Sequence, residues 1–156
     1  MKLKEIANII KGAHLVEGQN KNSECKQKEL TMVSLEPISF IDERKVIEVK
    51  NCKCESNQLT QVGDVIVSLY YPMIACYVEE GQEGFVVPHY MAVVRLKPNL
   101  NLDSRFIVQF INSVRGRKAL GKEITKSYGV VPTSLPLKYL NNVDILEKEN
   151  ALLEGY

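Results

Sequence analysis

The 156-residue chain has no tryptophan, only two histidines and four cysteines, and an aromatic content of 7%. No apolar run approaches the ~20 residues that a membrane-crossing helix needs. The opening Met1-Lys2-Leu3-Lys4-Glu5 runs into charge rather than into the apolar segment of a secretory signal. The expected setting is therefore the cytoplasm, away from membranes. The cysteines make a poor zinc framework, because structural zinc sites pair cysteines across about two to four residues and the only near pair is Cys52-Lys53-Cys54. Free thiols in a reducing compartment are expected instead, with Cys76 a small core residue. Gly-x-Ser-x-Gly, Walker A and Rossmann Gly-x-Gly-x-x-Gly motifs are missing, which removes the main sequence support for those hydrolases and nucleotide-binding enzymes. His89 has no identifiable Cys or Ser partner and reads as a loop hydrogen-bonder rather than a general base. No metal and no cofactor is expected.

With 45% apolar and 25% charged residues, the composition is that of an ordinary globular protein. The length suits one domain, which at this size buries roughly 68–70% of the surface its unfolded chain exposes. We expect that domain over residues 1–145, with 146–156 a C-terminal extension that can begin a helix. The net charge of +1 hides an uneven distribution: residues 1–110 carry 13 Lys/Arg and 14 Asp/Glu, whereas residues 111–138 carry six basic side chains against one acid, Glu123. Positive potential is concentrated late in the chain.

The stretch from Gln61 to Lys97 organises the rest. Its three apolar runs, Val65 to Leu69, Met73 to Val78 and Met91 to Leu96, are separated by turn signals at Gly63-Asp64, Tyr71-Pro72 and Glu80-Gly81, and predict consecutive strands. Met73, Ala75 and Tyr77 alternate with Ile74, Cys76 and Val78, so both faces are apolar and need cover. Ser68, Tyr70, Tyr71, His89 and Tyr90 fall at strand ends and loops, where binding groups are usually presented.

Elsewhere, Leu3, Ile6, Ala7 and Ile10 have helical spacing and predict a helix over Lys2 to Lys11, the alternative being one turn followed by a strand through Ala7 to Ile10. Residues 12–28 read as a long loop. Leu30 to Leu35 and Lys45 to Val49 look like strands. Asp103-Ser104 can cap a helix carrying Phe106, Ile107, Phe110, Ile111 and Val114. Gly116 weakens that helix, a second short one can span Arg117 to Lys122, Leu137 to Leu140 suits one helical turn, and Val143 to Leu146 suits a last strand. The expected class is α+β, a mixed and mostly antiparallel twisted sheet with a few short helices.

One constellation resembles an enzyme. Asp42 with Glu48-Val49-Lys50 superficially matches the acid and Glu-x-Lys with which many nucleases hold Mg²⁺ and activate a water. The six-residue spacing is short for bringing both carboxylates together, and alternating charge on an exposed strand is the commoner origin of Glu-x-Lys.

Read in order, the motifs resemble the target-recognition domain of specificity subunits of type I restriction-modification systems. Val62-Gly63-Asp64-Val65-Ile66-Val67-Ser68-Leu69 is similar to that family's G-D-[IV]-[IL]-[IV]-S strand, and Ala75-Cys76-Tyr77-Val78-Glu79 and Phe85 to Leu96 are like its following strands. Ser104 to Ser113 is similar to its Y-L-x-x-x-L-N-S helix, and Tyr128-Gly129-Val130-Val131-Pro132-Thr133-Ser134-Leu135 looks like its Gly- and Pro-containing loop. The chain has room for one such domain, so it resembles half of a two-domain subunit. The resemblance implies a non-catalytic module that binds double-stranded DNA and directs a methyltransferase subunit and a restriction subunit, a homodimer standing in for the two-domain form. Arg115, Arg117, Lys122 and Lys126 would then meet phosphates. Ser127, Tyr128, Thr133 and His89, with Asn20 and Asn22, could meet base edges, and Ser68, Tyr70 and Tyr71 complete the expected DNA-binding set. The other class compatible with the near-neutral charge is a protein-interaction domain using Tyr70, Tyr71 and Met73.

Overall fold

Apolar side chains that alternate to both faces of a sheet must be covered twice, and this fold covers them twice. The computed structural model describes residues 2–13, 27–37, 39–49, 54–70, 73–98, 100–120 and 137–145. Among the described residues there are six strands: β1 (Ala7–Lys11), β2 (Gln27–Glu29), β3 (Ile47–Val49), β4 (Val65–Ser68), β5 (Ala75–Tyr77) and β6 (Met91–Leu96). Four make an antiparallel sheet in the order β1-β6-β4-β5, and β2 and β3 pair in a separate antiparallel ribbon. The helices are α1 (Leu3–Ile6), α2 (Arg105–Asn112), α3 (residues 114–120) and α4 (Leu137–Asn142). This is the mixed, antiparallel α+β class that the sequence predicts.

On one face, Val65, Val67, Ala75, Ala92 and Val94 meet Phe106, Ile107, Phe110 and Ile111 of α2, Leu120 of α3, and Tyr139 and Leu140 of α4. On the other, Ile66, Cys76, Val78, Met91 and Val93 meet Leu30, Leu35, Ile41, Phe85 and Val87 from the loop layer. Each fully buried aliphatic side chain contributes on the order of 1.5–3 kcal/mol, so strands β4, β5 and β6 with their two covers are the main source of cohesion. The alternation expected for residues 73–78 is realised, with Met73, Ala75 and Tyr77 on the helix side and Ile74, Cys76 and Val78 on the other.

Several local expectations are corrected. At the N-terminus the alternative reading holds: a single helical turn, Leu3–Ile6, is followed by β1, which pairs Ala7 to Lys11 with Leu96 to Ala92. The helical spacing of Leu3, Ile6 and Ala7 serves both arrangements, and the cross-strand ladder decides between them. Gly12 then lets the chain pass against Pro88, where a Cβ would lie 1.8 Å from the Pro88 carbonyl oxygen. Leu30 to Leu35 is not a strand; residues Met32–Ser34 form a 3-10 turn whose Ser34 hydroxyl accepts from the Thr31 N–H. Val143 to Ile145 makes only an isolated bridge, Asp144 to Lys2, and Leu146 with the rest of the 146–156 extension lies outside the described residues. The helix after Asp103 ends at Asn112, before Val114, where Ser113 turns extended and donates its N–H to the Phe110 carbonyl; the Gly116 backbone then packs so closely that a Cβ there would lie 1.8 Å from the Phe110 carbonyl oxygen.

Candidate nucleic-acid interface

The antiparallel register gives the main sheet two distinct ends. Val65 faces Tyr77 and Val94 at one, while Ser68 pairs with Met91 and donates its N–H to the Ile74 carbonyl at the other. At this second end a tight turn enters β6, in which the Met91 N–H bonds the Pro88 carbonyl at 3.0 Å and His89 and Tyr90 form the corner. The turn is fixed from three directions. The Gly12 N–H donates to the Met91 carbonyl, the Ala13 N–H to Val87, and the Leu69 N–H to the Tyr90 carbonyl.

Three aromatic rings are gathered there. Tyr70 and Tyr90 have centroids 6.3 Å apart and are tilted by 46°, and His89 stands edge-on to Tyr90 at 5.4 Å and 82°. His89 is exposed, Tyr70 is 42% exposed and Tyr90 is half-buried. Burial pushes the Tyr90 phenol above its ordinary range and the charge of Glu29 adds to it, so the hydroxyl remains a neutral donor. Tyr90 is a strand-end aromatic that sequence reasoning did not place in the DNA-binding set. The signal available for it was the Pro88-His89-Tyr90 punctuation between two apolar runs.

Helix α2 spans the distance between the two ends. Arg105, at the start of α2, packs its guanidinium 4.4 Å from the centroid of the Tyr77 ring. At the helix terminus the Asn112 amide reaches Ala75, receiving its N–H and donating to its carbonyl, both at 2.8 Å, and also donates to Ser39 Oγ at 2.8 Å. The helix thus runs from the Tyr77 end of β5 toward the Tyr70 end. Ser113 ends it, its hydroxyl donating to the Phe110 carbonyl at 2.6 Å and accepting the Gly116 N–H at 3.0 Å. From there α3 carries Arg115 and Arg117 exposed, beside exposed Lys118. The remaining expected contacts, Tyr71, Lys122, Lys126, Ser127, Tyr128 and Thr133, lie outside the described residues, as do Asn20 and Asn22.

Ser68 does not belong with the contacting groups. It is fully buried, and its hydroxyl is used locally, donating to the Tyr70 carbonyl at 2.9 Å and accepting the Tyr70 N–H at 3.3 Å. Its role is to set the direction in which the chain presents Tyr70. The nuclease constellation is also revised. Asp42 caps the short 43–45 helix by accepting the Arg44 N–H, and its two carboxylate oxygens receive Arg44 Nε and Nη2, each at 3.0 Å. That hydrogen bond from Arg44 holds the Asp42 carboxyl below its ordinary range. Glu48 pairs across the ribbon with Lys28, and Lys50 lies outside the described residues. Among the described residues no three His, Cys, Asp or Glu side chains assemble a metal-holding cluster, and no described helix is long and apolar enough to cross a membrane.

The opposite end of the sheet holds an open cleft of about 660 Å³ between the 61–64 turn, the end of β6 and the start of α2. Beside it Arg95 donates Nε and Nη2 to the two oxygens of Asp64, both at 2.9 Å, and Nη2 also reaches the Leu59 carbonyl at 3.1 Å. The bond to Asp64 holds the Arg95 guanidinium above its ordinary pKa. Asp64 is 2% exposed and also accepts the Gln61 N–H. Ser104 Oγ donates to the Gly63 carbonyl, while Asp103 rather than Ser104 supplies a side-chain acceptor at the helix start, taking the Arg105 N–H at 3.0 Å. These groups clamp the sheet to α2 and leave the cleft mainly a structural seam.

No protein-family model matches the sequence, and no curated protein does. Solved structures do match the fold. One is a chain from the structural work on complex assembly and conformational transition of the type I R-M system, with a TM-score of 0.69 and 14% identity, covering 99% of this chain and 40% of that one. Another is the HsdS subunit from Thermoanaerobacter tengcongensis, with a TM-score of 0.62 and 12% identity, covering 99% of this chain and 35% of the subunit. The resemblance read from the motifs is thus borne out in the fold: essentially the whole of this chain has the architecture that these type I restriction-modification chains use over 40% or less of their own length.

Proposed function

We propose that the chain is a non-catalytic, cytoplasmic DNA target-recognition module of a type I restriction-modification system, half a specificity subunit in extent. The observation that carries this reading is the fold shared over 99% of the chain with such systems. The excess of six basic residues over one acid between residues 111 and 138 supplies the electrostatics, because phosphate neutralisation provides most of the affinity of DNA binding. Its partners are double-stranded DNA and a methyltransferase subunit, with a restriction subunit in the full assembly and a second copy of the chain in a homodimer. No cofactor takes part. Lys122 and Lys126, with Arg115 and Arg117, act on phosphates; Ser127, Tyr128 and Thr133 act on bases, and Tyr71 belongs to the same DNA-binding set.

The test is the salt dependence of binding to duplexes of mixed sequence, followed by fluorescence anisotropy. With about three phosphates neutralised, log K falls against log salt with a slope of roughly −2.7, and Lys122→Ala/Lys126→Ala flattens that slope by nearly two units without altering sequence preference. A double variant whose affinity and slope equal the parent's removes the lysines from the interface. Absence of duplex binding even at low salt overturns the DNA reading and favours the protein-interaction one.

A further inference from the structure

The rings at the Tyr70 end of the sheet have a geometry that narrows what they can recognise. Proteins that hold single strands stack successive bases on aromatic faces, which requires ring planes lying roughly parallel to the bases along the strand. Here adjacent rings are inclined by 46° and 82°, so they form an angular apolar corner, with hydroxyl and imidazole groups as its polar tips, instead of a continuous platform. The corner is held in place before any ligand arrives. His89 and Tyr90 occupy a turn closed by the Met91 N–H and braced by Gly12 and Ala13, and Tyr70 is oriented by buried Ser68. In duplex DNA the apolar feature available in a groove is the 5-methyl group of thymine, flanked by hydrogen-bond acceptors on the same base pair.

We infer that the Tyr70–Tyr90–His89 corner is a sequence-determining contact that reads the thymine methyl in the major groove of duplex DNA. This rests on the DNA-recognition reading above and adds to it the kind of base feature read and the residues that read it. The cations of residues 111–138 hold the backbone, and the corner discriminates. Ser68 is a positioning residue that acts through Tyr70.

The experiment starts from a pool of duplexes of randomised sequence, from which the full chain recovers its preferred site. Each thymine in that site is then replaced singly by uracil, which preserves base pairing and removes only the methyl. At one or two positions the substitution weakens binding about four-fold, the loss expected for one buried methyl-sized group. The same substitution has no effect on a His89→Ala or Tyr70→Ser variant, and the salt slope of these variants matches the parent's. Ser68→Ala reduces the uracil effect while Ser68→Thr restores it. Insensitivity of the parent to uracil at every position, with sequence preference intact, overturns the inference and leaves the DNA reading standing. So does tighter binding to the single strand than to the duplex. Failure to recover any site, with no binding at low salt, overturns both. Capture of a protein partner by the ring corner in competition with DNA also overturns the inference.

Discussion

Strand β5 lies at the outside of the main sheet; on its outer edge the Ser39 carbonyl takes the Tyr77 N–H and a single side chain answers Ala75, which makes Asn112 the most informative residue to change. The Asn112 amide answers both backbone groups of Ala75, as a neighbouring strand would, and its second N–H reaches Ser39 Oγ. Ala75 is fully buried, so in Asn112→Ala its N–H and carbonyl lose their partners away from bulk water. An unmade bond at a buried group costs about 1–3 kcal/mol. Two such groups, relieved in part by water entering the space left by the amide, give an expected loss of about 3 kcal/mol. That is a large fraction of the roughly 5–15 kcal/mol that holds a domain together, and it should lower the melting temperature by about 6–12 °C at this chain length. Urea denaturation should show a lower midpoint with an unchanged m-value, and hydrogen exchange at the Ala75 amide should accelerate more than exchange in β6. Asn112→Asp should fare no better, since it keeps an acceptor for the Ala75 N–H but sets a negative charge against the Ala75 carbonyl. A loss below about 0.5 kcal/mol in Asn112→Ala, or unchanged protection at Ala75, would refute the idea that this amide closes the sheet.

Two further predictions concern charge. Arg95→Met leaves the Asp64 carboxylate, 2% exposed, without its cation and should destabilise by about 3–5 kcal/mol, whereas the double variant Asp64→Leu/Arg95→Met should recover most of that and retain a deficit of about 1 kcal/mol for the lost Gln61 bond; equal urea midpoints for the single and double variants would contradict this. Burial holds the Glu29 carboxyl above its ordinary value of 4.5, so its contribution to stability is whole below that pH and is lost as pH rises through the higher folded value. Glu29→Gln should therefore melt above the parent at about pH 7 and level with it at about pH 4, and the opposite order at neutral pH would show that the ionised form is the favoured one.

The fold was most legible where burial imposes a period. Val65 to Ser68 and Met91 to Leu96 alternate between two apolar clusters, a period of two that a helix does not reproduce. The N-terminus was ambiguous because a turn of helix and a strand place Leu3, Ile6 and Ala7 equally well, and only pairing with β6, more than eighty residues away, selects between them. Leu30 to Leu35 misled for a related reason. It is apolar enough for a strand and buries Leu30 and Leu35 under the sheet, but the Thr31 and Ser34 side chains compete for the backbone and turn it into a 3-10 segment. Ladder partners and local side-chain competition are invisible in a window of sequence.

The functional residues were less legible than the fold, and the reason lies in what the recognisable motifs do. Asp64 of the Gly63-Asp64 pair ties Arg95 and the Gln61 turn, Ser68 at the end of the same run directs Tyr70, and Asn112-Ser113 closes the β5 edge and ends α2. Each of these side chains has a demanding geometric task inside the fold, with partners fixed to within a fraction of an ångström, so few residue types can perform it and the resulting pattern can be read. The groups proposed for contact sit between those motifs. Tyr70 and His89 project from ends whose backbone is fixed by other residues, and Arg115 and Arg117 ride on the exposed side of α3. Substitution there disturbs little packing, which leaves such positions open to change. On this argument a module of this fold should accept exchange of Tyr70 and His89 with small effects on stability and large effects on which sequence it binds, while exchange at Asp64, Ser68 or Asn112 should do the reverse.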